Sequence, residues 1–127
     1  MSKLKVLFVC EENRLRSKTA AEVYSSCPTV EVKSAGLSPT AEIQVSADLL
    51  DWADKVFVME KRQRNKIHKL FPELYARKSI TCLYIPDDYD FMDPILVTIL
   101  RNKLPQYIGS PEGSNSVKKG QPKTLEE

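Results

Sequence analysis

The patterning of the chain predicts an α/β fold in which a four-stranded parallel sheet lies between two layers of helices, a three-layer sandwich. Two observations carry this expectation. Apolar runs rich in β-branched residues occur at 4–9, 30–33, 55–59 and 80–85, and stretches that read as helices separate them. Strands alternating with helical segments pair in parallel and take helices on both faces. The second observation is size: 127 residues, 42% hydrophobic and 28% charged, suffice for one packed core and are too few for two ordinary domains.

The elements follow in order. The run 4–9 leads into a helix expected to begin near Ser17, and Pro28 punctuates the link to the run 30–33. After the segment SAGLSP, Ser46 is a suitable cap for a second helix over 46–52. The run 55–59 precedes a third helix starting after Glu60. The run 80–85 ends at Pro86, and a fourth helix starts at Pro94, with Asp93 ahead of the proline at the first helical position. From Gly109 the chain loses apolar periodicity and is rich in Gly, Ser, Pro and Lys, so 1–108 is read as the domain and 109–127 as a flexible tail. There are no internal repeats.

A formal net charge of +2 does not imply a nucleic-acid surface, so no nucleic-acid partner is expected. No apolar run approaches the ~18 residues of a membrane span, and the start MSKLK is not that of a signal peptide. Three cysteines, Cys10, Cys27 and Cys82, lack the spacing of a disulfide framework and suit a reducing compartment, so a cytoplasmic location is expected. With His68 as the sole histidine and no Cys-x-x-Cys pair, no metal is expected.

The chemistry concentrates at the first strand-to-helix turn, in VLFVCEENRLRSKTAAEVY. Ligands of open α/β sheets bind beyond the carboxyl ends of the strands, which is where Cys10 falls. A loop turning from strand to helix can aim several N–H groups inward, and the helix adds the positive end of its dipole, a combination that attracts phosphate. Residues Glu11, Glu12, Asn13, Arg14, Leu15 and Arg16 would form that cradle, with the planar fork of Arg16 gripping two phosphate oxygens. The same field favours a cysteine thiolate. Ser17 is placed to donate its hydroxyl to the Cys10 sulfur, and Asn13 tolerates the left-handed backbone that such a loop needs. The plainer reading makes Cys10 a small buried hydrophobe and Arg16 a solvated helix residue, but the setting of Cys-x5-Arg-Ser between a strand and a helix favours the site.

That stretch is similar to the phosphate-binding loop of the low-molecular-weight protein tyrosine phosphatase family. Cys10, Asn13, Arg16 and Ser17 match it in register, followed by a helix carrying Ala21 and Glu22. VKSAGL resembles the family's Ser-Ala-Gly segment, ADKVFVME its third strand ending in Met, and DYDFMDP its Asp-Pro pair. The likeness extends over most of 4–106. It implies a phosphomonoesterase of the protein-tyrosine-phosphatase type, with a cysteinyl-phosphate intermediate, no cofactor, and a phosphoprotein or small phosphomonoester as substrate. Departures accompany it. Leu15 stands where some members carry a second cysteine, Ile95 and Leu96 stand where tyrosines usually follow Asp-Pro, and the segment after Leu37 is short. Glu11 and Glu12 place two carboxylates in a loop built for an anion.

A thiolate attacking phosphorus needs an acid for the leaving group, and the resemblance assigns this to Asp93. A plain cap of the following helix is the competing reading, and Asp87, Asp88 and Asp90 are competing acids, with Asp90 the best of the three. Tyr89, flanked by Asp90 and near Phe91, is a candidate substrate wall, with core packing as its alternative. Lys61 or Arg62 could meet a second anionic group of a nucleotide, although the run EKRQRNKIHK reads by default as a solvated helix face. Other readings are a small-molecule or nucleotide phosphatase, a phospho-ligand binding module without turnover, and an arsenate reductase, which would need two further mobile cysteines.

Overall fold

The computed structural model describes residues 3–112. Within them the chain runs β1 (Leu4–Cys10), α1 (Arg16–Val23), β2 (Val30–Gly36), α2 (Ala47–Trp52), β3 (Lys55–Val58), α3 (Lys61–Leu70), α4 (Pro72–Arg77), β4 (Ser79–Cys82), α5 (Pro94–Lys103) and α6 (Pro105–Ile108). The four strands form one parallel sheet in the order β2-β1-β3-β4, so β1 is central, as its position before the cysteine requires.

Alternation along β1 builds both halves of the core. Val6 and Phe8 face one layer, where Ala20 of α1 and Tyr24, which caps its C-terminus, meet Leu96 and Leu100 of α5. Leu7 and Val9 face the other, against Leu50 of α2 and Ile67 of α3. All four of these β1 side chains are fully buried, which is why this run is apolar throughout.

Register brings the carboxyl ends level. Cys10 pairs with Gly36, Val9 with Val58, and Val58 with Cys82, so the residues that follow each strand converge on one edge of the sheet. Ser46 caps α2 by accepting a hydrogen bond from Leu49 N at 3.1 Å, as its sequence position predicts. The run expected as a strand over 80–85 is regular only to Cys82. Tyr84 takes a left-handed backbone (φ 56°) and is exposed, yet Leu83 N and Ile85 N still bond to Val58 O and Met59 O at 2.8 Å. Pairing outlasts the regular strand.

Two helices lie outside the sequence expectation. α4 buries none of its six residues, so it leaves no apolar period to read, and only Pro72 at its start signals it. α6 is a single turn closed by Gly109, whose φ of 82° favours glycine. The first residues of the expected tail are held against the domain: Tyr24 donates its hydroxyl to Gly109 O at 2.7 Å, and the Cys27 thiol to Ser110 O at 3.6 Å. Arg101 also pairs with Glu112. Residues 113–127 of that expected tail lie outside the described residues.

Candidate active site

The turn after β1 is held from below. Asn13 is fully buried with a left-handed backbone (φ 57°), and its Oδ1 accepts a hydrogen bond from Ser17 Oγ at 3.1 Å. Ser17 Oγ in turn lies 2.9 Å from Cys10 Sγ. A hydroxyl has one proton, so Ser17 donates to Asn13 while the cysteine is a thiol and can turn to the sulfur when it is a thiolate. The loop carbonyls of Cys10 and Glu11 accept from Leu37 N and Ser38 N at 3.1 and 2.8 Å. By contrast, among the described residues none of the N–H groups of residues 11–15 donates to a protein acceptor. The carbonyls of Cys10 and Glu11 are thus engaged by the segment after β2, while the N–H groups of 11–15 remain without a protein partner.

A cavity of about 100 Å³ is lined by Cys10, Glu11, Glu12, Arg14, Leu15, Arg16 and Asp87. A larger hollow of about 540 Å³ between α2 and α4 is lined by Asp48, Asp51, Phe71 and Leu74 among others, without a nucleophile, and lies away from the turn. The smaller one, which holds Cys10 and Arg16, is the candidate site.

Arg16 is only 2% exposed, and its guanidinium is fixed by other elements. Nη1 donates to Glu60 Oε2 at 2.6 Å and to Ile85 O at 2.8 Å, and Nε lies 3.7 Å from Asp87 Oδ1. Glu60 continues the chain of charges: its Oε1 accepts from Arg62 Nε at 2.9 Å, and Arg62 Nη1 donates to Glu11 Oε1 at 2.8 Å. Burial pushes the Glu60 carboxyl up, but hydrogen bonds from Arg62 and Arg16 outweigh it and hold the group below the usual carboxylate range. Glu12 is also engaged, accepting from Thr40 Oγ1 at 2.9 Å. Both loop carboxylates thus have partners outside the turn, which resolves their presence beside an anion cradle.

Of the residues expected from sequence, the structure gathers Cys10, Glu11, Glu12, Arg14, Leu15 and Arg16 around one cavity, with Asn13 and Ser17 beneath it. Asp93 and Tyr89 are not among the lining residues. Asp93 Oδ1 accepts from Ile95 N at 2.9 Å, capping α5, which is the competing reading of that residue. Asp87, ranked behind Asp90, stands at the cavity mouth with 61% of its side chain exposed. Tyr89 is half-buried against the core layer that contains Phe8. Arg62 is tied to two carboxylates, while Lys61, Lys66 and Lys69 are exposed, as the solvated-face reading holds. Glu60 and Gly36 are site residues that no motif in the sequence marks by itself. Their signal was position, since each stands at or directly beyond the carboxyl end of a strand that flanks or pairs with β1.

No protein-family model matches the chain, and no curated protein matches it. Solved structures do. The tyrosine phosphatase Wzb from Escherichia coli K30, solved with phosphate, is 16% identical, superposes with a TM-score of 0.68, and the match covers 84% of this chain and 97% of that one. SP-PTP, a low-molecular-weight protein tyrosine phosphatase from Streptococcus pyogenes, gives 16%, 0.67, 82% and 93% in the same order. The fold is that of the low-molecular-weight tyrosine phosphatases. YwlE, an arginine phosphatase from Geobacillus stearothermophilus with this phosphatase fold, is 24% identical with a TM-score of 0.63, and the match covers 81% of this chain and 91% of that one.

Among the described residues no helix is long and apolar enough to cross a membrane, and no group of three His, Cys, Asp or Glu could hold a metal ion. All three cysteines are free and buried.

Proposed function

We propose that the chain is a cysteine-dependent phosphomonoesterase of the protein-tyrosine-phosphatase type, acting through a cysteinyl-phosphate intermediate. One observation carries the reading: Cys10, the buried Arg16 and a turn with unused N–H donors share a cavity of about 100 Å³, with Asp87 at its mouth. Ligand pockets that enclose a whole small molecule run to roughly 300–1,000 Å³, so this one suits the phosphoryl group alone. The phosphorylated active-site serine of a YwlE variant and the phosphate held by Wzb support phosphoryl transfer on this fold.

The Cys10 thiolate attacks phosphorus, forming the S–P bond as the P–O bond to the leaving group breaks. Asp87 gives the departing oxygen its proton, then takes one from the water that cleaves the S–P bond and releases phosphate. Arg16 and the loop N–H groups stabilise the equatorial oxygens throughout, and Ser17 stabilises the sulfur when it leaves as thiolate. The activity is assigned to the domain read as 1–108 with the packed residues up to Glu112. A cytoplasmic location fits three cysteines that form no disulfide with one another. An arsenate reductase is disfavoured, since Cys27 is buried beside Thr29 and Ser110, and Cys82 lies within β4.

The substrate reading follows from what lines the cavity. No aromatic residue is among the lining residues, Ile95 is 63% exposed at the start of α5, and Leu96 is in the core. Each stacking contact forgone costs about 0.5–1.5 kcal/mol of preference for an aryl ester. We therefore assign small phosphomonoesters ahead of phosphotyrosine peptides. Repulsion of acidic peptides by Glu11 does not add to this, because Arg62 offsets its charge.

The test is hydrolysis of p-nitrophenyl phosphate by the wild type and Cys10→Ser, followed by a panel of phosphotyrosine peptide, phosphoarginine peptide and nucleotide monophosphates. Cys10→Ser should abolish turnover and retain phosphate binding. Turnover surviving that substitution would sink the mechanism. A hundredfold preference for the phosphotyrosine peptide would overturn the substrate reading.

A further inference from the structure

We propose that Glu60 is a positioning residue for phosphoryl transfer, turning the fork of Arg16 toward the phosphate cradle and tying the arginine to the start of the loop. This rests on the phosphatase reading, since a fork must have a phosphoryl group to meet.

The geometry of a guanidinium makes the assignment. Nη1 sits on the Cδ side of the plane, so the edge that grips two oxygens at once is formed by Nε and Nη2. Both protons of Nη1 are consumed, one by Glu60 Oε2 at 2.6 Å and one by Ile85 O at 2.8 Å. Among the described residues neither Nε nor Nη2 makes a hydrogen bond, and the one charge on that edge is Asp87, whose exposed Oδ1 lies 3.7 Å from Nε at ion-pair distance, so the protein hydrogen-bonds the guanidinium by one corner and keeps the donors of the gripping edge for the substrate. A guanidinium 2% exposed and without a carboxylate would be costly to bury, so the corner that Glu60 holds also keeps Arg16 in place.

Glu60 does not hold Arg16 alone. Its other oxygen is clamped by Arg62, and Arg62 reaches Glu11, the residue after the nucleophile. Both ends of the turn are therefore tied to two residues at the start of α3. Gln63 Oε1 accepts from Met59 N at 2.9 Å and Glu60 N at 3.0 Å, which fixes the backbone that carries the clamp.

The experiment compares wild type, Glu60→Gln, Glu60→Asp, Arg16→Lys and the Arg16→Lys/Glu60→Gln pair, reading kcat/KM for p-nitrophenyl phosphate and the dissociation constant of inorganic phosphate. Misplacing a catalytic group by about 1 Å can cost on the order of 10²-fold, so Glu60→Gln should lower kcat/KM by that order and weaken phosphate binding in parallel. Glu60→Asp, which keeps the charge on a shorter arm, should recover part of both. In the Arg16→Lys background the Glu60→Gln change should add little, because its effect runs through Arg16. Additive losses, or unchanged phosphate affinity in folded Glu60→Gln, would overturn the role. If Glu60→Gln fails to fold, Glu60→Asp decides by the same two readouts. A wild type that binds phosphate without turnover would end the phosphatase reading alone, leaving phosphate affinity to decide for Glu60. A wild type that binds none would end both.

Discussion

Gly36 runs so close under the phosphate-cradle turn that a Cβ built on it would lie 2.6 Å from Glu11 O and 2.7 Å from Asn13 N. Both neighbours are backbone, which cannot swing aside as a side chain can. Only hydrogen at this position lets β2 lie against the turn, and the glycine of the SAGL segment is thereby explained by contact.

Gly36→Ala is expected to push the turn outward. Overpacking of this kind costs about 1–3 kcal/mol, and the displaced donors should lower kcat/KM on the order of 10²-fold in the protein that still folds. Urea denaturation with steady-state kinetics checks both, and wild-type turnover in Gly36→Ala would mean that this approach does not shape the cradle.

The two aspartates separate by what each variant disturbs. Asp87→Asn should slow esters with poor leaving groups by about 10²–10⁴-fold and p-nitrophenyl phosphate far less. Asp93→Ala should remove the α5 cap, costing about 0.5–2 kcal/mol of stability with little effect on turnover, while Asp93→Asn, itself a good cap, should be nearly silent. Should Asp93→Asn instead show the leaving-group dependence, the acid is Asp93 and not Asp87.

Glu60 also gives a pH dependence of stability whose sign is fixed. Its carboxyl is held below the ordinary value of 4.5, by hydrogen bonds from Arg62 and Arg16 that outweigh the effect of burial. A lowered folded-state value means that the contribution is present above the unfolded value and lost as pH falls through the folded one. The stability gap between wild type and Glu60→Gln should be full at about pH 7 and shrink toward zero well below about pH 4. Urea unfolding of both proteins across that range measures it, and a gap independent of pH would show that the Glu60 charge contributes nothing.

How far the sequence could be read depended on whether a residue acts through its own neighbours in the chain. Cys10, Asn13, Arg16 and Ser17 lie within one turn, so their spacing in its strand-to-helix setting points to the cradle, and apolar runs rich in β-branched residues point to the strands. Glu60, Gly36 and Asp87 act on that turn from three other strand ends, across separations in sequence that no local pattern encodes. The Asp-Pro pair at Asp93 reads two ways in sequence because a helix cap and a general acid use the same residue ahead of the same proline. α4 left little trace beyond Pro72 because none of its residues is fully buried.

β1 is covered on both faces and bonded along both edges, by β2 and β3, so the strand ending in Cys10 is among the last parts of the molecule to open transiently. Asp87 lies beyond the last sheet bond of its strand, on an exposed loop, where local openings are frequent and cheap. In the proposed mechanism the two groups that meet across a substrate would therefore keep different time: Cys10 sits on the most firmly held strand, and Asp87 on a loop whose openings need not disturb it.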